Sequence, residues 1–500
     1  MINGRFRAVC ALLCAATIAS LALSCGSGTE SAPSGGEDTA KPAETAETAA
    51  EAADTYVYDD LPGDLDFGGE TVTIHTRGDT DSYGEVFAEL DGEVLNDAVY
   101  NRNKDVEERL NVKIDVFQGP GWQNYSSITK LKSTILAGDD SYQIIAGWAA
   151  VVPTLALEGC YTDLNSKPYL DTSKPWWTQS ATTGMNVAGM LFFVTGDVSI
   201  LTDLGGSYVM FLNDKVAENY GITSIADDVF SGAWTLDRLI GYIKDTGSDL
   251  SGDGKRGDDD MYGLILDMYN SSDSFLTAAD IHQIILDENG DLVYVDQTER
   301  LTRLMEKIYP LYYSDNYSSY MQPDAMIGVS MFAAGQGLLT VRELDTARNE
   351  FREMEDSYTI IPLPKLDDAQ KDYLTCSFNG STIWGIPISN TKPEASLAVM
   401  EAMGCISYNV VSPVYFETCL QYKFARNETT LRMLEIIRDN MFLDCENLYH
   451  SLLGDSIFTA RNLISSKKSD VASYNAKNAS KIEKAIEKTL EKFTEIRDQG

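Results

Sequence analysis

The sequence predicts a two-lobed α/β protein with a helical C-terminal region. Three observations carry this. Between Glu70 and Ala146, short β-rich runs alternate with helical apolar spacing, the pattern of parallel strands joined by helices. Behind an N-terminal segment with almost nothing to bury, about 445 residues remain, too many for one compact core. From Pro393 onward the chain reads as predominantly helical to its end. A hydrophobic content of 44% and an aromatic content of 10% suit well-packed lobes.

The N-terminus sets the compartment. Residues 1–24 read as a bacterial export signal: Arg5 and Arg7 give the positive region, and Ala8 to Leu23 is an uncharged apolar run too short for an ordinary membrane span. The run ends in Leu21-Ala22-Leu23-Ser24-Cys25, which resembles a lipobox, although leucine is more usual where Ala22 stands. Cys25 is therefore the expected lipidation site, anchoring the protein to a membrane surface without spanning it. The rest of the stretch 25–55 is mainly Gly, Ser, Thr, Ala, Pro and Glu, too polar to offset its ordering entropy, and is expected to be a disordered tether.

The formal net charge of −37 argues against nucleic acid or an anionic surface as partner. Of eight cysteines, Cys10, Cys14 and Cys25 belong to the export segment. The others (Cys160, Cys376, Cys405, Cys419, Cys445) lack paired spacing and are expected to be mainly free and buried, with room for one disulfide.

Each element follows from its pattern. Glu70 to His75 is β-rich, and Leu95, Val99, Val106 and Leu110 keep a helical period. Asn111 to Phe117 alternates like a half-buried strand; a helix over 125–137 leads to a third strand, Tyr142 to Ala146. Ligands of open α/β sheets sit beyond the carboxyl ends of the strands, which makes Trp148 a binding candidate. Leu191 to Val198 and Tyr208 to Asn213 read as strands, Asp214 to Tyr220 as a helix, and Trp234 to Lys244 as a helix capped by Thr235, with Trp234 in the core. Tyr262 to Leu266 is a strand, Asp287 to Gly290 a hairpin turn, and Thr298 to Tyr309 a helix. Phe332 to Val341 is a helix end, a Gly turn and a strand; Tyr358 to Pro364 and Thr382 to Pro387 are extended.

Between the Trp234 helix and the Tyr262 strand lies a twelve-residue stretch with the layout of a calcium loop. Asp249, Ser251, Asp253 and Asp260 supply side-chain oxygens at positions 1, 3, 5 and 12, Lys255 a carbonyl at position 7, and Gly254 the sharp turn at position 6. Asp260 is one methylene shorter than the usual glutamate. An acidic turn that binds nothing has the same composition. No second loop is visible and a strand follows, so the expected role of Ca2+ is to clamp a helix to a strand rather than to move helices.

Taken together, these segments resemble the extracellular solute-binding proteins of bacterial ABC importers, in the carbohydrate-type group that includes maltose-binding protein. The resemblance spans roughly Gly69 to the end. It rests on the lipobox and tether, on Val209 to Gly221 (VMFLNDKVAENYG), on Trp234-Thr-Leu-Asp237, on the Asp249–Gly263 loop ending in Tyr-Gly, on Phe332-Ala-Ala-Gly335 before its strand, and on Tyr358 to Pro364. It implies a periplasmic-binding-protein-like fold with a hinge and an interlobe cleft. It also implies a monomer that captures a sugar or oligosaccharide and delivers it to the transmembrane subunits of an ABC permease. Crossings near Asp197 and Gly328–Phe332 would divide the chain into one lobe of 56–197 and 332–395, and another of 198–331 with the helical region 396–500.

Sugars are held by aromatic rings against their C–H faces and by carboxylates, amides and Arg on their hydroxyls. The candidates are Trp148, Trp176, Trp177, Arg342, Glu343, Asn379 and Trp384. Each Trp could equally be a packing ring. A secreted polysaccharide-active enzyme and a non-transporting surface receptor are the competing classes. Against the enzyme stand only three histidines without metal-ligand spacing, and the absence of a G-x-S-x-G elbow.

Overall fold

The run from Glu70 to Arg77 buries Val72 and Ile74 on one face and forms strand β1 (Glu70–Arg77). The computed structural model describes residues 56–78, 83–120, 126–377, 380–421 and 428–499, with backbone alone at 126–127, 419–421 and 428. The export segment, Cys25 and the tether lie outside the described residues.

After β1, the helix Val94–Leu110 buries Leu95, Val99, Val106 and Leu110, the period seen in the sequence. Asn111 ends it in the left-handed conformation at φ 48° and hands the chain to β2 (Val112–Gly119). The helix Ser126–Leu136 then leads to β3 (Ile144–Trp148). β1 pairs in parallel with both, and β12 (Thr382–Gly385) returns much later to pair antiparallel with β3, giving the order β12-β3-β1-β2.

A second sheet of six strands is built from β4 (Tyr208–Asn213), β5 (Gly247–Ser248), β6 (Met261–Leu266), β9 (Ser319–Met321), β10 (Gly337–Glu343) and β11 (Tyr358–Ile361). Its order is β11-β4-β10-β6-β5, with β9 also on β6. Every residue of β4 and β6 is buried, as strands covered on both faces require. Thr235 caps the helix Leu236–Ile243 ahead of β5, and Trp234 is wholly buried beside it. β7 (Ile284–Leu286) and β8 (Leu292–Tyr294) form the expected hairpin, turned by Gly290 at φ 80°.

This pairing corrects the lobe boundaries. Residues 332–395 do not belong together: β10 bonds antiparallel to β4 and parallel to β6, so the second sheet keeps both β10 and β11. The chain returns to the first sheet only between Ile361 and Thr382. Nor is 396–500 all second-lobe, because the helix Pro393–Ile406 packs on β1 and on Val94–Leu110. The strand expected over 191–198 is reduced to two isolated bridges, Val194 to Trp384 and Gly196 to Trp177.

That helix continues through a π turn, Ser407–Val411, into the helix Ser412–Gln421, whose Tyr415 and Phe416 join the core around Phe211. The stretch Pro393–Thr418 has the length and hydropathy of a membrane span, yet 67% of its most apolar window is buried within the fold, so core packing accounts for it. The final helix, Val471–Gln499, runs about 43 Å and joins both cores, with Val471 in one and Phe493 in the other. Cys160, Cys405 and Cys445 are free and buried, and Cys376 is buried as well.

The crossings are tied to each other by hydroxyls and buried carboxylates. Thr195 and Ser199 both donate to the Thr382 carbonyl, at 2.9 and 2.8 Å, and the Thr382 amide donates to Thr202 Oγ1 at 2.9 Å. Asp203 accepts from Ser381, Thr178 and Ser377; burial still lifts its carboxyl to about 6. Arg438, from the helix Glu428–Asp439 that packs on β11, reaches Asp197 at 2.9 Å.

Candidate functional site

The carboxyl ends of parallel strands β1 and β3 in one sheet, and of β6, β9 and β10 in the other, are the places where ligands of such sheets sit. Register places both crossings at these same ends. Glu343 ends β10 opposite Tyr208, the first residue of β4, and Trp148 ends β3 opposite Thr382, the first residue of β12. The candidate cleft therefore lies between the two sets of strand ends, flanked by the crossings.

From the second sheet, Arg342 and Glu343 stand side by side at the end of β10. The Arg342 Nη2 lies 2.8 Å from Glu343 Oε2, while its Nε and Nη1 are buried without an acceptor among the described residues. Tyr208 donates its hydroxyl to the other oxygen, Glu343 Oε1, and burial together with that carboxylate holds the phenol well above its ordinary range. Next along the edge, Asp267 follows β6 and accepts from the amides of Tyr269 and Asn270 at the start of the helix Asn270–Ala278. This leaves the Tyr269 ring 54% exposed, with the Arg461 guanidinium 5.4 Å from its centre. Arg461 is fixed by Asp273, whose carboxyl burial pushes up to about 8 against the pull of that arginine.

From the first sheet, Arg77 ends β1 and donates to the Gly380 carbonyl at 3.4 Å. Below it Glu85, 1% exposed, accepts from the amide and hydroxyl of Thr202; burial raises its carboxyl to about 7, with Arg77 opposing. Trp148 is half-buried at the end of β3.

Of the sequence candidates, the structure brings Arg342 and Glu343 together and leaves Trp148 half-buried at the end of β3 in the other sheet. Trp176, Trp177 and Trp384 are corrected to core residues: each is 0–1% exposed, and a ring with no open face cannot stack on a sugar. Trp177 Nε1 donates to Glu401 Oε2 at 3.0 Å and Trp384 Nε1 to Ser199 Oγ at 2.8 Å, so both indoles have internal polar partners. Asn379 lies outside the described residues. Sequence reasoning passed over Tyr208, Asp267, Tyr269 and Arg77; nearness to the carboxyl end of a strand was the available signal for Asp267, Tyr269 and Arg77, whereas Tyr208 opens its strand.

The acidic loop sits elsewhere. It precedes β6, and so lies at the opposite end of the second sheet from the strand ends above, beside a hollow of about 440 Å³. Asp249 Oδ1, Ser251 Oγ and Asp253 Oδ1 gather at 3.2 and 3.3 Å, and the Gly254 amide donates to Asp249 Oδ2 at 2.9 Å. These three side chains, with the Lys255 carbonyl, are hard oxygen donors of the kind a calcium ion takes. Asp260 differs: it is 3% exposed and accepts amides from Leu250, Ser251 and Gly257, closing the loop through the backbone. The Lys255 side chain is 83% exposed, and its ammonium lies 3.9 Å from Asp253 Oδ2.

No family model and no curated protein matches the sequence. Solved structures do match the fold. A cyclo/maltodextrin-binding protein complexed with maltotetraose superposes with TM-score 0.55 at 10% identity, covering 85% of this chain and 97% of that one. The GacH receptor of Streptomyces glaucescens, solved unliganded and with acarbose, gives 0.52 at 14%, covering 86% and 98%. A sugar transporter from Rhizobium etli in an open conformation gives 0.53 at 11%, covering 84% and 98%. The chain thus has the two-lobed solute-binding-protein fold, and its likeness runs over nearly the whole length of each of these proteins.

Proposed function

We propose that this chain is an extracytoplasmic solute receptor that closes on a sugar or oligosaccharide between its two lobes and presents it to an ABC permease. The observation that carries the reading is the edge Tyr208–Glu343–Arg342 with Tyr269 beside the strand ends of one sheet, together with Trp148 and Arg77 at the strand ends of the other. It combines partly exposed aromatic rings with the Arg342 guanidinium, whose Nε and Nη1 have no acceptor among the described residues, which suits hydroxyl-rich ligands. The fold likeness to proteins solved with maltotetraose and acarbose supports the same ligand class. The Leu21–Cys25 motif supports anchoring at the membrane through a lipidated Cys25.

In this reading Ca2+, held by Asp249, Ser251, Asp253 and the Lys255 carbonyl, ties the loop to β6 as a structural ion, with Asp260 fixing the loop's backbone. The deciding experiment is calorimetry of the purified protein against a panel of oligosaccharides, with product analysis of the same mixtures. Saturable 1:1 binding without cleavage is expected. Cleaved product, or no binding by any saccharide, overturns the proposal.

A further inference from the structure

Away from the cleft, His282 stands where two stretches distant in sequence meet. Its Nδ1 lies 3.0 Å from Asp444 Oδ2, and a nitrogen of its ring and the carboxylates of Asp444 and Glu446 have ligand atoms all within 4.8 Å of one another. On the far side of the ring, Nε2 lies 3.4 Å from Asp280 Oδ1. Both carboxylates are held from behind. Asp444 Oδ1 accepts the amide and side-chain N–H of Asn447, at 2.9 and 2.8 Å. Glu446, 3% exposed, accepts from Ser456 at 2.6 Å and from the Gln283 amide at 3.1 Å. Phe442 packs edge-on against the imidazole, 5.1 Å between ring centres.

The charge does not balance. Three carboxylates surround one imidazole, and among the described residues no Lys or Arg forms an ion pair with any of them; Arg300, bonded to Ala279 and Gln370, acts on Asp280 only from a distance. A proton on His282 cancels one charge. A dication would cancel two.

We propose that His282 Nδ1, Asp444 Oδ2 and the Glu446 carboxylate bind a divalent transition-metal ion of the Zn2+ type, with Asp280 as the positioning residue. One imidazole nitrogen with two carboxylates suits zinc, whereas calcium and magnesium prefer all-oxygen shells. Metal-binding histidines characteristically donate their second N–H to a carboxylate, and Asp280 occupies that place. Binding replaces the proton on Nδ1, while Nε2 keeps its proton toward Asp280. Tetrahedral ligand atoms around zinc stand about 3.3 Å apart, close to the present separation of His282 and Asp444. The ion would join the two cores, since Ile281 packs in one and Ile284 in the other.

The test uses the full chain after chelator treatment, titrated with Zn2+ by calorimetry and melted with and without it. One tight equivalent and a rise in melting midpoint are expected, unaffected by millimolar calcium. His282→Gln should weaken binding at least 100-fold, and Asp280→Asn about 10- to 100-fold at unchanged stoichiometry. Absence of binding, or binding indifferent to His282→Gln, overturns the proposal. Should that variant not fold, Co2+ added to the unaltered protein decides. A visible spectrum without a thiolate charge-transfer band supports the site; a thiolate band, or no spectrum, overturns it.

Discussion

Trp384 Nε1 donates to Ser199 Oγ at 2.8 Å across 185 residues of sequence, with both side chains fully buried. The bond joins the strand that completes the first sheet to the segment by which the chain leaves it. Phenylalanine at position 384 would lose the bond and part of the ring's volume, at about 1–3 kcal/mol. Urea unfolding should show that loss, while saccharide affinity stays unchanged because the ring has no open face. An affinity loss without a stability loss would return Trp384 to the cleft.

Arg342 has the opposite profile. Its unpartnered Nε and Nη1 lie at a strand end, so Arg342→Met should leave the fold intact and weaken the ligand. A hydrogen bond to a charged group contributes about 1.5–3 kcal/mol, roughly 10- to 100-fold in Kd. Calorimetry against the best saccharide measures it. Tyr269→Ala should act in the same direction with a stability change within about 0.5 kcal/mol, since the ring is largely exposed.

Glu401 predicts a pH dependence. Burial raises its carboxyl from 4.5 to about 7, with the Trp177 N–H opposing. The folded state therefore holds this proton more tightly than the unfolded chain does. Its contribution to stability is complete below about pH 4.5 and is lost as pH rises through about 7. Glu401→Gln keeps an acceptor for Trp177 and removes the titration. Denaturation midpoints of the two proteins should diverge in favour of the variant between pH 5 and 8; parallel curves would refute the assignment.

The acidic loop separates its residues by role. Asp249→Asn should abolish the rise in melting midpoint produced by calcium, yet cost little in chelator. Asp260→Asn keeps one acceptor oxygen but turns the other into a donor facing part-buried amides, and should destabilise by about 1–3 kcal/mol with calcium or without it. Thermal melts of both variants in each condition give the comparison.

The local elements were legible because their signals are local. The Val94–Leu110 helix follows its apolar period, Thr235 caps where a threonine should, and Gly290 and Gly335 mark turns at φ 80° and 77°. The lobe boundary was not legible, because β10 looks the same in sequence whichever sheet it joins, and only pairing with β4 and β6 decides. Trp176, Trp177 and Trp384 misled for a related reason: an indole suits a sugar face and a core equally, and burial is a property of the whole fold. Arg342 and Glu343 could be found because the end of a strand is visible in the sequence. Tyr208 could not, since it meets Glu343 only through antiparallel register.

The π turn at Ser407–Val411 sets the phase of everything after it. One residue of an α-helix is worth about 100° of rotation, so removing a single residue here would swing Tyr415 and Phe416 off the Phe211 core. The turn is also anchored, by Arg102 Nη1 on Ser407 Oγ at 3.1 Å and by Asn409 on the Val57 carbonyl at 2.9 Å. Changes of chain length in this helix are thus constrained one residue at a time, whereas the exposed acidic turn at Asp287–Gly290 carries no such angular debt.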